Sequence, residues 1–441
     1  MTRSSQSDSR GLVVERLIAQ LASMFFLNDF VFLSPSYVTG GQKRQVTDLM
    51  FLLKDKCAMV SVKGTDGNAK AATRLTNWAA KKAHEASKNA KTACQRAAKL
   101  EITATNLWGE TKTFSTGTLN PVFGLGLIEC SQEMFKPMEF QLTHPVEGSP
   151  SCPIHYLSAN DFLNVAMWLG SIWDVFRYFE LRQQVKASLN GINLERPLLC
   201  YYTLRSHDDF SGFANEDRAK LSELHQLFLL DTLPQYGERD KRAAYVNAVI
   251  YQLHERHKDF ESYVPDELRH AIEPNKKRRA YLGMAALLNS LPMSNKAWIG
   301  QQIETRIQRV REVGRSTCFM YRQLRGEVAF VFAIFKDFNR TEKLRALNHL
   351  LPAAQYSSGM GEALGIAYDA DDEEIGFDLL WRRGPVQVDD EVKQLAARFF
   401  SDALETLCPT PFGEPRPYIP KSQGARSSAC PEANSQATTR L

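Results

Sequence analysis

The chain has 441 residues, of which 44% are hydrophobic and 24% are charged, and its formal net charge at pH 7 is +4. This composition is typical of a globular protein and excludes collagen-like and disordered classes for most of the chain. The length exceeds what one hydrophobic core usually serves and predicts two or three domains. No apolar run reaches the roughly 20 residues of a membrane helix, and the N-terminus lacks the apolar core of a secretory signal. The sequence therefore predicts a cytoplasmic protein without a membrane partner.

The eight cysteines are widely spaced and include no CxxC pair. Neither a zinc module nor a thiol redox motif is therefore predicted. In a cytoplasmic protein we expect reduced thiols, several of them buried.

The first third of the chain predicts an α/β domain. Apolar residues at helical spacing indicate an amphipathic helix over 12–27, and a short strand over 30–33 is expected to stop at Pro35. Two apolar β runs, 46–53 and 57–63, are joined by a short polar turn and predict a hairpin.

A long helix and a group of strands follow. Alanines recur every three or four residues over 72–100, which predicts a helix with a small-residue face that lies close against a sheet. Over 101–130 we expect strands around turns at Gly109, Gly117 and Gly124–Gly126. The stretch HPVEGSPSCP that comes next reads as a linker.

The rest of the chain is predicted to be helical and then mixed. Residues 161–315 have helical periodicity, and two β-hairpins with a helix between them follow. Asn339 and Glu342 have the spacing of a capping box at the start of that helix.

The predicted fold class is α/β, with an N-terminal restriction-endonuclease-like mixed sheet flanked by helices, a mostly helical domain and a small C-terminal α/β segment. The restriction-endonuclease part of this prediction depends on the resemblance described below. The predicted boundaries are 10–145 for the first domain, 155–315 for the helical domain, 316–408 for the small α/β domain and 409–441 for a disordered tail.

Asp48 and Lys63 form the constellation that can carry chemistry. Asp48 stands in an otherwise apolar β run, and Lys63 closes the next run. In a hairpin with a short turn the two side chains come near the same end, and Glu15 on the first helix could reach that end. Carboxylates at one place hold Mg²⁺, which lowers the pKa of bound water, and a nearby lysine stabilises an anionic transition state. The alternatives are a turn cap for Asp48, an ordinary strand end for Lys63 and a solvated helix position for Glu15.

The sequence here resembles the PD-(D/E)xK nuclease superfamily, and within it a group of bacterial proteins with such a domain at the N-terminus. The stretches that carry the resemblance are FVFLSPSYV, QVTDLMFLLKDKCAMVSVKG, TACQRAAKL, IHYLSANDFLNVAMWLGSIWDVFRYFELR and LGIAYDADDEEIGFDLL. They lie in several parts of residues 12–382. The resemblance implies a nuclease-type fold at the N-terminus and metal-dependent phosphodiester hydrolysis.

The resemblance also implies a role for individual residues. Asp48 would be the metal-binding aspartate, Lys63 the catalytic lysine, Glu15 the acid of the first helix and Gln95 the glutamine of the helix after the lysine. Two positions depart from the pattern. Ser61 stands where an acid is usual, and Gln45 stands where related sequences often carry a glutamate. The metal would then be held by Asp48 and Glu15, with an oxygen at Ser61 or the next carbonyl, and loss of activity is the alternative.

The long alanine-rich helix is strongly basic. Its stretch carries eight lysines and arginines against Glu85 alone, and Arg74, Lys81, Lys88 and Gln95 recur at intervals of seven on one stripe. This stripe, with Lys91 in addition, predicts contacts to a phosphate backbone. The alternative is a solvated face that keeps an alanine-rich helix in solution.

Two functions follow. The first is a Mg²⁺- or Mn²⁺-dependent DNA endonuclease, for which the resemblance suggests a role in restriction or phage defence, a homodimer and a defence-system partner protein. The second is a catalytically inactive nuclease-fold protein that binds nucleic acid or protein. In the second case the working surface would be an aromatic group in the helical middle, for which a buried helix core is the favoured alternative. Those aromatic residues are Trp168, Trp173, Phe176, Tyr178 and Phe179.

Overall fold

The structure is a computed structural model, and it describes most of the chain as an α/β protein with two sheets. The described residues are 10–64, 72–129, 147–149, 152–184, 195–204, 223, 226, 233–256, 274–322, 327–372 and 376–400. None of the helices within these ranges is both long enough and apolar enough to cross a membrane. The predicted disordered tail, 409–441, lies outside the described residues.

The first sheet is mixed, and its strands follow the order β6-β5-β1-β3-β4-β7-β9-β8, with β2 paired to β1 alone. Strands β1 and β3 are antiparallel, as are β3 and β4, whereas β4, β7 and β9 run parallel to one another. The strands are β1 (Val31–Thr39), β2 (Gln42–Gln45), β3 (Leu49–Leu53), β4 (Lys56–Gly64), β5 (Ile102–Asn106), β6 (Thr111–Phe114), β7 (Asn120–Glu129), β8 (Glu147–Ser149) and β9 (Cys152–Ser158). The predicted hairpin is β3–β4 and is confirmed.

Strand β1 does not stop at Pro35 as predicted. The register of β1 against β5 shifts between Leu33 and Ser36, and Ser34 has a positive φ of 42°. A proline lacks the N–H of a regular ladder, and an irregular position of this kind accommodates it inside a strand. Beyond it, β1 continues to Thr39 and pairs with β2.

Helices α1 (Arg10–Phe26) and α2 (Ala72–Ala97) lie on opposite faces of the first sheet. The predicted small-residue face of α2 is confirmed, because its alanines at 79, 83, 86, 90, 93 and 97 are all buried. The turn predicted at Gly124–Gly126 is wrong, because both glycines lie inside β7. A Cβ on Gly126 would lie 3.0 Å from the Cβ of Ala86, so the glycines allow α2 to approach the sheet closely.

The predicted linker over 144–153 is also wrong where the structure describes it. Strand β8 and the start of β9 lie in this stretch, and β9 pairs with β7 in parallel. Pro153 and the residues around it therefore belong to the sheet, so the first structural unit extends past the predicted boundary at residue 145.

The helical middle does not form one separate core. Helices α3 (Ala159–Leu169), α4 (Ile172–Arg182) and α5 (Glu195–Leu204) pack on the first sheet, on the same face as α1. Helices α6 (Leu233–Arg256), α7 (Pro274–Asn289) and α8 (Met293–Val313) share a core with the second sheet. The two groups meet where the Met293 backbone N–H donates to Asp174 Oδ2 at 2.7 Å.

The second sheet has the order β10-β11-β12-β13, and both of its predicted hairpins are confirmed. Its strands are β10 (Thr317–Arg322), β11 (Val328–Phe335), β12 (Glu362–Asp369) and β13 (Phe377–Arg383). Helix α9 (Arg340–Ser358) connects the parallel pair β11 and β12, and α10 (Asp390–Phe400) packs against α9. The predicted capping box between Asn339 and Glu342 is present.

The close approach of α2 to β7 gives a first prediction. Gly126→Ala should lower the free energy of unfolding by about 1–3 kcal/mol, because the new Cβ is crowded by Ala86 and by the backbone N of Ser87 at 3.3 Å. Urea denaturation followed by circular dichroism measures this change. The matched control is Gly237→Ala in α6, where no atom lies within 4 Å of the new Cβ. Equal stability of the Gly126 variant and the wild type would contradict the packing argument.

Candidate functional site

Asp48 and Lys63 meet at one end of the β3–β4 hairpin. Asp48 lies one residue before β3, and the pairing of Leu49 with Val60 places it opposite Ser61. Lys63 lies two residues further along β4, and its Nζ is 3.8 Å from Asp48 Oδ2. The two side chains are 16% (Asp48) and 26% (Lys63) exposed, so the pair is accessible from solvent without being fully hydrated.

The Asp48 carboxylate accepts three hydrogen bonds. The backbone N–H of Val62 donates to Oδ2 at 2.7 Å, and the Ser61 hydroxyl donates to the same oxygen at 3.2 Å. The Gln45 amide donates to Oδ1 at 3.2 Å and to the Thr47 carbonyl at 2.9 Å. The residues at both departures from the nuclease pattern are therefore neutral donors to Asp48. They compensate part of its charge where a second carboxylate would add to it.

The short connection before β3 is fixed by its neighbours. Thr47 is buried, and its hydroxyl donates to the Val60 carbonyl at 2.6 Å. The Ser34 backbone N–H donates to the Asp48 carbonyl at 2.9 Å. With its side chain and its backbone both engaged, Asp48 has little conformational freedom.

Glu15 comes to this site from α1, on the face of the sheet opposite to α2. Val14 and Ile18 of α1 are fully buried against the sheet, which holds Glu15 half-buried beside the strand ends. Its burial, followed by the charge of Asp48, raises the pKa of Glu15 from 4.5 to about 7, and the charge of Lys63 opposes this rise. The structure thus brings Glu15, Asp48 and Lys63 within electrostatic reach of one another.

A fourth charged residue, Glu85 of α2, responds weakly to the charge of Lys63. Lys63 contributes to lowering the pKa of Glu85, after the larger effect of a hydrogen bond from Lys82. Glu85 lies one residue before Ala86, which packs on β7 at Gly126. In the sequence Glu85 is the only acid among the basic residues of α2, and its link with Lys63 comes from the packing of α2 on the sheet.

The donor set can be tested against a Mg²⁺ ion. Across the described residues there is no group of three or more His, Cys, Asp or Glu side chains that could hold a metal. Mg²⁺ commonly uses one or two protein carboxylates together with water and substrate phosphate, so Asp48 and Glu15 satisfy this lower requirement. Burial, followed by the charge of Asp48, raises the pKa of Glu15, and a cation bound between the two carboxylates would favour the ionised form of Glu15. Ser61 directs its hydroxyl hydrogen to Asp48, and only the lone pairs of its oxygen remain for a metal.

Gln95 is not brought to the pair. It is exposed on α2, ten residues beyond Glu85, and the helical rise of about 1.5 Å per residue separates the two by roughly 15 Å along the axis. No hydrogen bond among the described residues joins Gln95 to Asp48, Lys63 or Glu15. A direct role for Gln95 in catalysis therefore stays a prediction without support from the structure.

The predicted basic stripe faces solvent where it is described. Lys81, Lys88 and Lys91 are exposed on the side of α2 away from its buried alanines. The side chain of Arg74 lies outside the described residues, although its backbone belongs to α2.

A second basic surface was not anticipated from the sequence. Strands β1 and β2 form a ribbon with Gly40 and Gly41 in its turn, both at positive φ. Lys43 and Arg44 are exposed on β2, which is followed directly by the connection to Asp48. The sequence signal for this ribbon is the glycine pair followed by basic residues. The prediction that β1 ends at Pro35 excluded a hairpin beyond that residue.

The aromatic residues of the helical middle form a core and not a surface. Phe176, Tyr178 and Phe179 are buried, and Trp168 and Trp173 are partly buried against the same cluster. The favoured alternative for this group is confirmed, and the group is not available as a docking surface.

Comparisons with known proteins leave the family open. No family model, no curated protein and no solved structure matches this chain. The resemblance to PD-(D/E)xK nucleases therefore stays a prediction that depends on the residues and their placement.

The pKa of Glu15 gives a second prediction. Its folded-state value of about 7 lies above its ordinary 4.5, so the folded protein binds this proton more tightly than the unfolded chain does. The associated stabilisation is complete below pH 4.5 and is lost as the pH rises through about 7. As the pH rises from about 5 to about 8, the free energy of unfolding should therefore fall in the wild type relative to Glu15→Gln. Urea denaturation of both proteins at the two pH values measures this difference.

The control for this measurement is Glu101→Gln, which changes an exposed glutamate outside the site. Its free energy of unfolding should follow the wild type across the same pH range. Parallel curves for the wild type and Glu15→Gln would show that the environment of Glu15 does not perturb its titration.

Proposed function

We propose that the chain is a metal-dependent nuclease of the restriction-endonuclease-like type that hydrolyses phosphodiester bonds in DNA. The observation that carries the proposal is the meeting of three residues from separate elements. Glu15 from α1, Asp48 from just before β3 and Lys63 from the end of β4 perturb or contact one another at one end of the β3–β4 hairpin. Two carboxylates and a lysine at one place are the residue types that metal-assisted phosphodiester cleavage requires.

The arrangement of the elements supports the same proposal. A helix with an acid, a hairpin with Asp48 and Lys63 at one end, and a basic helix occur in the order that the resemblance implies. Helices α1 and α2 cover opposite faces of the mixed sheet, and the chain passes from β4 through α2, β5 and β6 to β7, which pairs with β4 in parallel. In support of the proposal, Asp48 and Lys63 lie at the carboxyl end of β4, which is also the carboxyl end of its parallel neighbour β7, and Glu15 lies close enough to respond to both charges.

Asp48 and Glu15 would hold Mg²⁺ or Mn²⁺, which when bound supplies Lewis acidity at the phosphate and lowers the pKa of a water. Val62, Ser61 and Gln45 orient Asp48 through their hydrogen bonds. Lys63 places an ammonium 3.8 Å from Asp48, where it can orient a water and stabilise the negative charge that develops on the phosphate. Because Glu15 must lose its proton to bind a cation, neutral to basic pH favours the bound form.

Two exposed basic surfaces would hold the substrate near the site. The lysines of α2 lie along one side, and the β1–β2 ribbon with Lys43 and Arg44 leads to Asp48 through Gln45. A helix face rich in lysine neutralises phosphates, and a two-stranded ribbon has dimensions that enter a DNA groove.

Cleavage of plasmid and linear DNA with Mg²⁺ or Mn²⁺ tests the proposal. Asp48→Asn and Lys63→Met should each lower the cleavage rate by about 100-fold or more, because each removes a charge from the reacting centre. Asp55→Asn and Lys54→Met are matched controls, since both residues are exposed at the other end of the same hairpin.

Circular dichroism and urea denaturation show whether each variant is folded before its rate is interpreted. Cleavage that survives both Asp48→Asn and Lys63→Met would contradict the residue assignment. A folded wild type that cuts neither single- nor double-stranded DNA with either metal would contradict the nuclease proposal.

The basic stripe gives a separate prediction on binding. Replacing Lys81, Lys88 and Lys91 together by alanine should weaken binding to duplex DNA of any sequence. The slope of log affinity against log salt should become less negative by about 0.9 for each phosphate contact that is lost. Fluorescence anisotropy over a range of salt concentrations, without divalent metal, measures both effects.

A charge-matched control removes three exposed cations from α8, α9 and α10, namely Arg309, Arg345 and Lys393. This control should leave the salt slope unchanged. Equal losses in the two triple variants would mean that net charge, and not the stripe, governs binding.

A non-catalytic protein that binds nucleic acid is the second candidate, and the hydrogen bonds of Asp48 favour it. Ser61 and Gln45 donate to this carboxylate, so it is stabilised in the absence of a metal. This candidate predicts DNA binding that depends on the lysine stripe, together with no cleavage and no change on Asp48→Asn. The cleavage and binding assays thus separate the two functions.

A further inference from the structure

Cys94 and Cys152 are distant in sequence but adjacent in the fold. Cys94 lies on α2 and Cys152 is the first residue of β9, and each thiol is close enough to shift the pKa of the other. Cys152 packs against the core cluster that contains Cys94 and Cys57. All three cysteines are free thiols in the structure.

The glycine of β7 between them explains how the thiols meet. A Cβ on Gly124 would lie 3.3 Å from Cys94 Sγ and 2.7 Å from Ile154 Cδ1. Gly124 pairs with Ile154 of β9, two residues after Cys152. The absence of a side chain at Gly124 thus allows α2 to approach β7 closely enough for Cys94 to lie beside β9. The small residues that allow this close packing therefore also bring the two thiols together.

The two thiols differ in their access to solvent. Cys94 is buried, with 4% of its surface exposed, whereas Cys152 is partly exposed. The hydrogen bond from Cys94 lowers the pKa of Cys152, with burial acting in the opposite direction. The same hydrogen bond, followed by burial, raises the pKa of Cys94. Cys152 is therefore the thiol that ionises first and that a small oxidant reaches first.

We propose that Cys94 and Cys152 form a peroxide-sensitive dithiol that converts reversibly to a disulfide and fastens α2 to β9. The Cys152 thiolate attacks one oxygen of a hydroperoxide, the O–O bond breaks, and the thiolate becomes a sulfenic acid while hydroxide (or alkoxide) leaves. The Cys94 sulfur then attacks the Cys152 sulfur, which forms the S–S bond. The hydroxyl of the sulfenic acid leaves with the Cys94 proton as water.

The bond has a specific structural consequence. Helix α2 carries the exposed lysine stripe on one side and its alanine face on the other, and Cys94 lies near its C-terminal end. A covalent link to β9 opposes movement of this end of the helix relative to the sheet. Oxidation is therefore expected to raise the urea midpoint of the folded protein, since the link also restricts the unfolded chain.

The experiment uses the full chain with Cys130, Cys408 and Cys430 replaced by serine, so that these three thiols cannot compete for the oxidant. The folded protein is exposed to hydrogen peroxide, unreacted thiols are alkylated, and the digest is examined by mass spectrometry. The expected product is a peptide pair joined through Cys94 and Cys152, which dithiothreitol separates again.

Two single variants complete the design. Cys94→Ser should stop at a Cys152 sulfenic acid that dimedone labels, and Cys152→Ser should leave Cys94 unoxidised. Cys318→Ser serves as the control for a partly exposed thiol elsewhere and should not alter the linked peptide. The urea midpoint should rise on oxidation in the parent and in Cys318→Ser alone.

Three results would overturn the proposal. One is a folded parent in which peroxide leaves both thiols free, and another is dimedone labelling of Cys152 in the parent with no linked peptide. The third is a link from Cys152 to Cys57 instead of Cys94. None of these results depends on whether the chain cleaves DNA.

Discussion

The hydrogen bond from the Val62 backbone N–H to the Asp48 carboxylate, at 2.7 Å, is the contact on which the site depends. It joins the start of β3 to the end of β4 and fixes the carboxylate beside Lys63. A hydrogen bond to a charged acceptor in a partly buried place is stronger than one between neutral groups. The charge held there adds to the effect of burial in raising the pKa of Glu15, so this contact links the two carboxylates of the site.

Much of the fold could be predicted from the sequence because local patterns specify it strongly. The alanine face of α2, the three hairpins and the capping box at Asn339 each combine propensity with periodicity over several residues. The meeting of Asp48 and Lys63 followed from the period of two along paired strands together with a short turn. Placing Glu15 beside them needed only that the first helix cover the sheet near its end.

The parts that could not be predicted depend on contacts between distant segments. In the sequence Gly124 and Gly126 resemble turn glycines. Their role is visible only in the folded protein, where a Cβ at either position would crowd α2. Pro35 predicts the end of a strand, because the register shift between Leu33 and Ser36 that accommodates it cannot be seen in the sequence. That Ser61 and Gln45 both donate to Asp48 could not be read from the sequence, where they were only departures from a nuclease pattern. The hydrogen bonds show how one carboxylate can be stable with or without a cation.

Calorimetric titration of the protein with Mn²⁺ near pH 8, where Glu15 is ionised, tests the central claim most directly. We expect saturable binding at one site, weakened at least tenfold in Asp48→Asn and in Glu15→Gln and unchanged in Asp55→Asn. If the folded wild type shows no saturable binding, or if binding is equal in all four proteins, Asp48 and Glu15 are not a metal site and the nuclease proposal fails with it.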